Sequence, residues 1–264
     1  MRLLRFFALL CVLSLWHGAF AAESAGPTVH MIGDSTMADK PVWPAQPERG
    51  WGQLLPLYFK DPNRVVNYAA NGRSTKSFID EGRWEKVRRA LQPGDWLVIQ
   101  FGHNDEKKDK PAVYADAHGA YQDNLRRFVK EAREAGARPL LATPIARRRF
   151  DAAGKLEDTH GEYPEALRNV ARDENVPLLE LNTLTSGLLQ SYGAERSKLL
   201  FLWIPESDYP ARAATSSKGW QDDTHLSAVG ASRVAELAVG EILRLDLELK
   251  ELLKLPAEKK AATP

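Results

Sequence analysis

A chain of 264 residues carries one cysteine, Cys11. It lies inside the leading apolar run, so the rest of the chain can form no internal disulfide and offers no thiolate nucleophile. An excess of charge of either sign is also missing, because 36 basic residues stand against 35 acidic ones. Nothing in that balance asks for nucleic acid or an anionic membrane as partner. There is no G-x-G-x-x-G, no Walker pattern and no G-x-S-x-G. Those absences argue against nucleotide binding and against the nucleophile elbow of ordinary α/β-hydrolases. His30, His103, His118, His160 and His225 are widely spread, without the paired spacing of a metal site. No metal and no cofactor is expected. Internal repeats, heptads and low-complexity blocks are absent too.

What is present begins with Arg2 and Arg5, followed by an apolar run over 6–16 and the small residues of Ala19-Phe20-Ala21. This is the pattern of a signal peptide over 1–21, cleaved before Ala22 or Glu23. The alternative, an uncleaved anchor, suffers from a run shorter than the roughly 20 residues a span needs. The expected location is therefore periplasmic or secreted, with no membrane contact after cleavage. Residues 22–250 read as a single domain, long enough to fold without disulfides. Residues 251–264 read as a frayed tail.

Short apolar runs at 28–32, 64–69, 95–101, 138–143 and 176–181 lack clean alternation, as strands covered on both faces do. Between them lie helical patterns. Residues 117–135 put Tyr121, Leu125, Phe128, Val129 and Ala132 on one face, with Gly136 as the stop. A second such pattern runs over 228–250, and a shorter helix ends at Pro93-Gly94. The alternation predicts an α/β fold with helices on both faces of a five-stranded parallel sheet. Residues 182–224 start as a helix and continue as an ordered active-site loop.

Ligands of such sheets sit beyond the carboxyl ends of the strands. Strand one ends in Gly33-Asp34-Ser35, strand two in Asn71-Gly72-Arg73, and strand three in Gly102-His103-Asn104-Asp105. Asp222-Asp223-Thr224-His225 precedes the last helix, which can return it to the same edge. Acyl transfer needs a hydroxyl, a base and oxyanion donors in one place. Ser35 supplies the hydroxyl, and His225 a base that works near neutral pH. Asp222 can fix the imidazole tautomer, with Asp223 as the contender and spacing favouring Asp222. The N–H groups of Ser35 and Gly72 and the amide of Asn104 are the candidate oxyanion donors. Each piece alone has a structural reading: a helix cap, a turn glycine, a loop, a polar lead-in to a helix capped by Ser227. Their joint order at these strand ends favours chemistry.

MIGDSTMADK, NYAANGRST, FGHND and DDTHLSAVGA resemble, in order, blocks I, II, III and V of the SGNH (GDSL-like) hydrolases. The resemblance runs from residue 29 to about 240. It implies a three-layer α/β/α sandwich with a flavodoxin-like sheet, Ser35 as nucleophile, His225 as base, Asp222 as acid, and Gly72 and Asn104 in the oxyanion hole. The finer wording, Gly-Asp-Ser-Thr-Met-Ala and Gly-Arg-Ser-Thr-Lys-Ser-Phe, looks like the rhamnogalacturonan acetylesterase branch. That implies removal of acetyl groups from an acetylated polysaccharide or oligosaccharide of pectin type. The alternatives are another acyl ester (xylan acetate, a short-chain ester or a lipid) or an inactive carbohydrate-binding protein.

Arg147-Arg148-Arg149 is read either as a contact for uronate carboxylates or as a solvated basic patch. Trp43, Trp203, Tyr209 and Trp220 either stack on sugar rings or belong to the core. Arg147 and Trp220 are the expected substrate contacts. His30 is expected to pack within strand one, and His103 to be structural or to line the pocket. A monomer is expected.

Overall fold

The computed structural model describes residues 26–42, 47–208 and 220–254. The expected signal peptide, Trp43 and Tyr209 lie outside them. Five parallel strands form the central sheet: β1 (Val29–Gly33), β2 (Val65–Asn67), β3 (Trp96–Gln100), β4 (Arg138–Ala142) and β5 (Leu178–Leu179). Their order is β2-β1-β3-β4-β5. The chain leaves β1 to one side for β2, then crosses to the other side for β3. That reversal is the topological switch point, and it opens a crevice beyond the carboxyl ends of β1 and β3.

Helices α1 (Trp51–Leu54), α2 (Thr75–Asp80), α3 (Arg83–Ala90), α4 (Ala120–Glu134), α5 (Tyr163–Asp173), α6 (Leu181–Arg196) and α7 (Ala228–Arg244) cover the sheet. One core joins Val29, Met31, Trp96 and Val98 of the sheet to Trp51 of α1, Leu189 of α6, and Val234, Ala238 and Ile242 of α7. The other joins Ile32, Leu97 and Ile99 to Phe78 of α2, Trp84 of α3, Phe128 of α4 and Leu167 of α5. Alternate residues of one strand thus enter different cores. Every residue of β1 and of β3 is buried, which is why these strands show no polar face.

Three expectations are corrected. The strand expected over 176–181 is two residues long, because α6 starts at Leu181. Within 182–224, the described residues after the expected helix carry strands where an active-site loop is expected. After α6 and the 3-10 turn Ser197–Leu200, β6 (Phe201–Ile204) pairs antiparallel with β7 (Trp220–Leu226). The first residues of the tail are held rather than frayed. Leu253 is buried, and main-chain bonds run from Lys60 N–H to Leu252 O (2.9 Å) and from Lys254 N–H to Tyr58 O (2.7 Å).

The start of α7 fixes what precedes it. Ser227 caps it by accepting from Gly230 N–H at 3.2 Å and donates to Leu199 O at 2.7 Å. A Cβ added at Gly230 would lie 1.9 Å from Leu200 O. Gly230→Ala should therefore push α7 off the 3-10 turn and lower stability by about 3 kcal/mol, as overpacking against backbone does. Chemical denaturation should show it, and an unchanged midpoint would mean that the helix start tolerates displacement.

Candidate active site

The turn after β1 is locked before Ser35 does anything. The Asp34 carbonyl accepts from Met37 N–H (3.2 Å) and Ala38 N–H (3.1 Å). Its carboxylate Oδ1 accepts from the N–H (2.9 Å) and hydroxyl (2.7 Å) of Thr36, and Oδ2 meets His103 Nδ1 at 3.2 Å. Burial alone would raise the Asp34 pKa, but His103 and Thr36 offset it and hold the carboxyl at about 2. His103 is pushed down to about 4, chiefly by burial. At neutral pH a neutral imidazole therefore donates to a carboxylate. His103 is a strut between the ends of β1 and β3, as its structural reading expects.

The three strand-end loops are laced to one another. Lys40, buried, sits 2.6 Å from Glu48 Oε1 and also donates to Asn71 Oδ1. Asn104 Nδ2 donates to Arg73 O at 3.0 Å. Between Asn71 and Arg73 stands Gly72, with φ +74°, a backbone that side-chain-bearing residues avoid. Immediately beyond, Ser74 and Ser77 form a capping box that starts α2. Asp105 ties that start to the end of β3, because its Oδ1 accepts from Thr75 N–H at 2.9 Å and Thr75 Oγ1 at 2.5 Å. Burial raises the Asp105 pKa to about 7.

The hairpin brings the remaining groups. His225 Nε2 lies 2.9 Å from Ser35 Oγ, and Nδ1 lies 2.8 Å from Asp222 Oδ2. The other oxygen, Oδ1 of Asp222, accepts from the N–H groups of Thr224 (2.8 Å) and His225 (2.9 Å). The carboxylate therefore cannot swing away without breaking backbone bonds. Burial pushes the Asp222 pKa up, yet these bonds and the imidazole bring it down to about 2. Burial lowers the His225 pKa, but the bond to Asp222 and its charge more than compensate, so His225 titrates above its ordinary value. Glu48 and Lys40 act on it in opposite senses. Asp223 plays a different part: its Oδ1 accepts from Arg148 (2.7 Å) and from the Trp203 indole (2.7 Å).

The sequence model of the GDSL-like Lipase/Acylhydrolase family matches residues 31–233. The chain belongs to that family. As a GDSL-like acylhydrolase it is a carboxylic ester hydrolase. It is 40% identical over 225 residues to the rhamnogalacturonan acetylesterase RhgT of Bacillus subtilis, covering 85% of this chain and 93% of RhgT. The crystal structure of Bacillus subtilis protein YxiM superposes with a TM-score of 0.70 at 26% identity, over 84% of this chain and 58% of that one. The acetylxylan esterase Axe2 of Geobacillus stearothermophilus has the same fold, with a TM-score of 0.55 at 20% identity over 82% of this chain and 94% of Axe2.

In this GDSL-like acylhydrolase each member of the arginine triplet has a carboxylate partner, and only Arg149 of the three is exposed. Arg147 is paired with Glu106, which also meets His160 Nδ1 at 2.8 Å. Arg148 is buried against Asp223, with its guanidinium 4.7 Å from the Trp203 ring. Arg149 pairs with Glu157 at 2.7 Å. The Arg147 guanidinium, the expected uronate contact, braces the loop after β4 against the loop after β3. Trp203 is likewise committed, since Lys198 Nζ also sits 4.6 Å from its ring. Trp220 lies in β7 opposite Ile204 and lines a shallow cavity of about 270 Å³ with Trp203, Pro205 and Gln221. Lys40 and Asp105 stand inside the quoted motifs with no role assigned to them in sequence, and Lys107 lies outside those motifs. The only signal for Lys107 is a cation three residues after Asn104, within reach of a turn.

Proposed function

We propose that this protein is a serine esterase that removes acetyl groups from a plant cell-wall polysaccharide, acetylated rhamnogalacturonan above others. The observation that carries the reading is the imidazole of His225, bonded to Ser35 Oγ on one side and to Asp222 on the other. In that arrangement Nδ1–H faces the carboxylate and Nε2 is left as the proton acceptor.

His225 Nε2 takes the Ser35 proton as Oγ attacks the acetyl carbonyl. The developing oxyanion is held by the N–H groups of Ser35 and Gly72 and by the Asn104 amide. As the tetrahedral intermediate collapses, the C–O bond to the sugar breaks. The sugar oxygen leaves with the proton from His225, and Ser35 carries the acetyl group. Water, deprotonated by the same imidazole, attacks the acetyl-enzyme, releases acetate and restores the hydroxyl. No metal is invoked at any step. The similarity to RhgT supports the choice of substrate, and the leader-like residues 1–21 support export to the periplasm or the medium.

The test is acetate release from acetylated rhamnogalacturonan, acetylated homogalacturonan and acetylated xylan, side by side at equal acetyl content. The reading expects the highest kcat/KM on rhamnogalacturonan. A clear preference for xylan would replace the substrate and leave the chemistry. Release from none of the three would point to a different acyl ester.

A further inference from the structure

An amide used as an oxyanion donor must present N–H, not C=O, to the reacting carbonyl. Nothing in an asparagine's shape decides that, because the two ends of the amide are nearly the same size. At Asn104 the neighbours decide it. Nδ2 faces the carbonyl of Arg73 at 3.0 Å, and a carbonyl can only accept. Oδ1 faces the ammonium of Lys107 at 2.6 Å, and an ammonium can only donate. A flipped amide would set C=O against C=O and NH₂ against NH₃⁺. The correct orientation leaves the second N–H of Nδ2 without a bonding partner among the described residues.

The chain brings Lys107 there locally. Its backbone N–H donates to Asn104 O at 3.2 Å, closing a turn, and the side chain returns to the same residue's amide. Its neighbour Glu106 is anchored by Arg147 and by His160, the latter at 2.8 Å, so the turn is held from the far side as well. Lys107 is half-buried and Asn104 is buried. A charge-assisted bond in such a place is about twice as strong as a neutral one. It also draws electron density from the amide and makes the remaining N–H a better donor.

We propose that Lys107 is a positioning residue for the oxyanion hole: its ammonium fixes and polarises the Asn104 amide and acts on turnover through it. The inference rests on the reading of Asn104 as an oxyanion donor. Its effect belongs to the transition state, so it appears in kcat and not in KM.

The test uses the full protein with two substrates, acetylated rhamnogalacturonan and 4-nitrophenyl acetate, the second too small and uncharged to need a polysaccharide contact. Lys107→Met should lower kcat about tenfold on both, less than the 10²–10³ expected for losing the donor itself, with KM and melting temperature unchanged. Lys107→Arg, which keeps a charged donor, should recover part of the loss. In an Asn104→Ala background Lys107→Met should add nothing further. Wild-type kcat in Lys107→Met overturns the inference. So does a tenfold loss that persists in the Asn104→Ala background. A loss confined to KM on the polysaccharide overturns it as well, and makes Lys107 a substrate contact. If Asn104→Ala alone keeps full turnover, the oxyanion reading of Asn104 fails first and this inference with it.

Discussion

Ser35→Ala should lower kcat for acetate release by about 10⁶, the scale on which removal of a triad nucleophile acts. The fold should survive, since the β1 turn is held by Asp34, Thr36 and His103 and not by the serine hydroxyl. Among the described residues, the only bond lost is that from Oγ to His225 Nε2. What remains is the binding and oxyanion stabilisation of the hole, which elsewhere leaves 10³–10⁴ over water. Steady-state acetate release, with melting temperature as the control, reads the effect. A Ser35→Ala protein within tenfold of the wild type would remove the nucleophile assignment.

The second large effect separates two adjacent carboxylates. Asp222→Asn should lower kcat by about 10⁴, because an amide beside Nδ1 permits the wrong imidazole tautomer. Asp223→Asn should leave the chemistry near wild type and lower stability instead, since Asp223 holds Arg148 and the Trp203 indole. The pH profile carries the same distinction. His225 must be neutral to accept the proton, so kcat/KM is lost as pH falls through its folded-state pKa. That pKa lies above the ordinary histidine value because of Asp222, so the acid limb of the wild type should fall above about pH 6.5. Removing the Asp222 charge should move the limb to lower pH, while removing the Asp223 charge should leave it in place. The opposite pattern, with only Asp223→Asn losing turnover, would transfer the orienting role.

Most of the candidate site was legible because parallel topology does the placing. Once 28–32, 64–69 and 95–101 read as strands buried on both faces, Ser35, Gly72 and Asn104 had to share one edge of the sheet. The return of His225 to that edge followed from the helix after it, and Gly230 shows the close docking that makes the return firm. The hairpin was not legible. Phe201–Ile204 is only four residues long, and Trp220–Leu226 carries Gln221, Asp222, Asp223 and Thr224 in a row, with no alternating apolar face. Its strand character comes from pairing with β6, a tertiary effect that no local pattern announces. Helix α5 escaped in a different way. Tyr163, Ala166, Leu167, Val170 and Ala171 do have helical spacing, but the stretch follows Gly161 and carries Pro164, which is tolerated only in a helix's first turn.

The arginine triplet shows the limit for charged residues. Arg147 finds Glu106 41 positions away, and Arg148 finds Asp223 75 positions away. A run of like charge looks solvated in sequence because its partners are supplied by the fold. The same holds for Lys40 and Glu48, whose pairing needs the turn after β1 and the isolated bridge of Glu48 to Ser227 to meet beside His225. Lys107 is the exception, since it reaches Asn104 within one turn, and spacing alone could have raised it.

The central claim is that the acyl group passes through Ser35. The most direct measurement is peptide mass mapping of the protein quenched with acid during turnover of an acetylated substrate. The account predicts one acetyl group on the peptide containing Ser35, present during turnover and gone once substrate is exhausted. Steady acetate release with no acetyl group ever found on that peptide, under conditions that trap a slow deacylation, would contradict it.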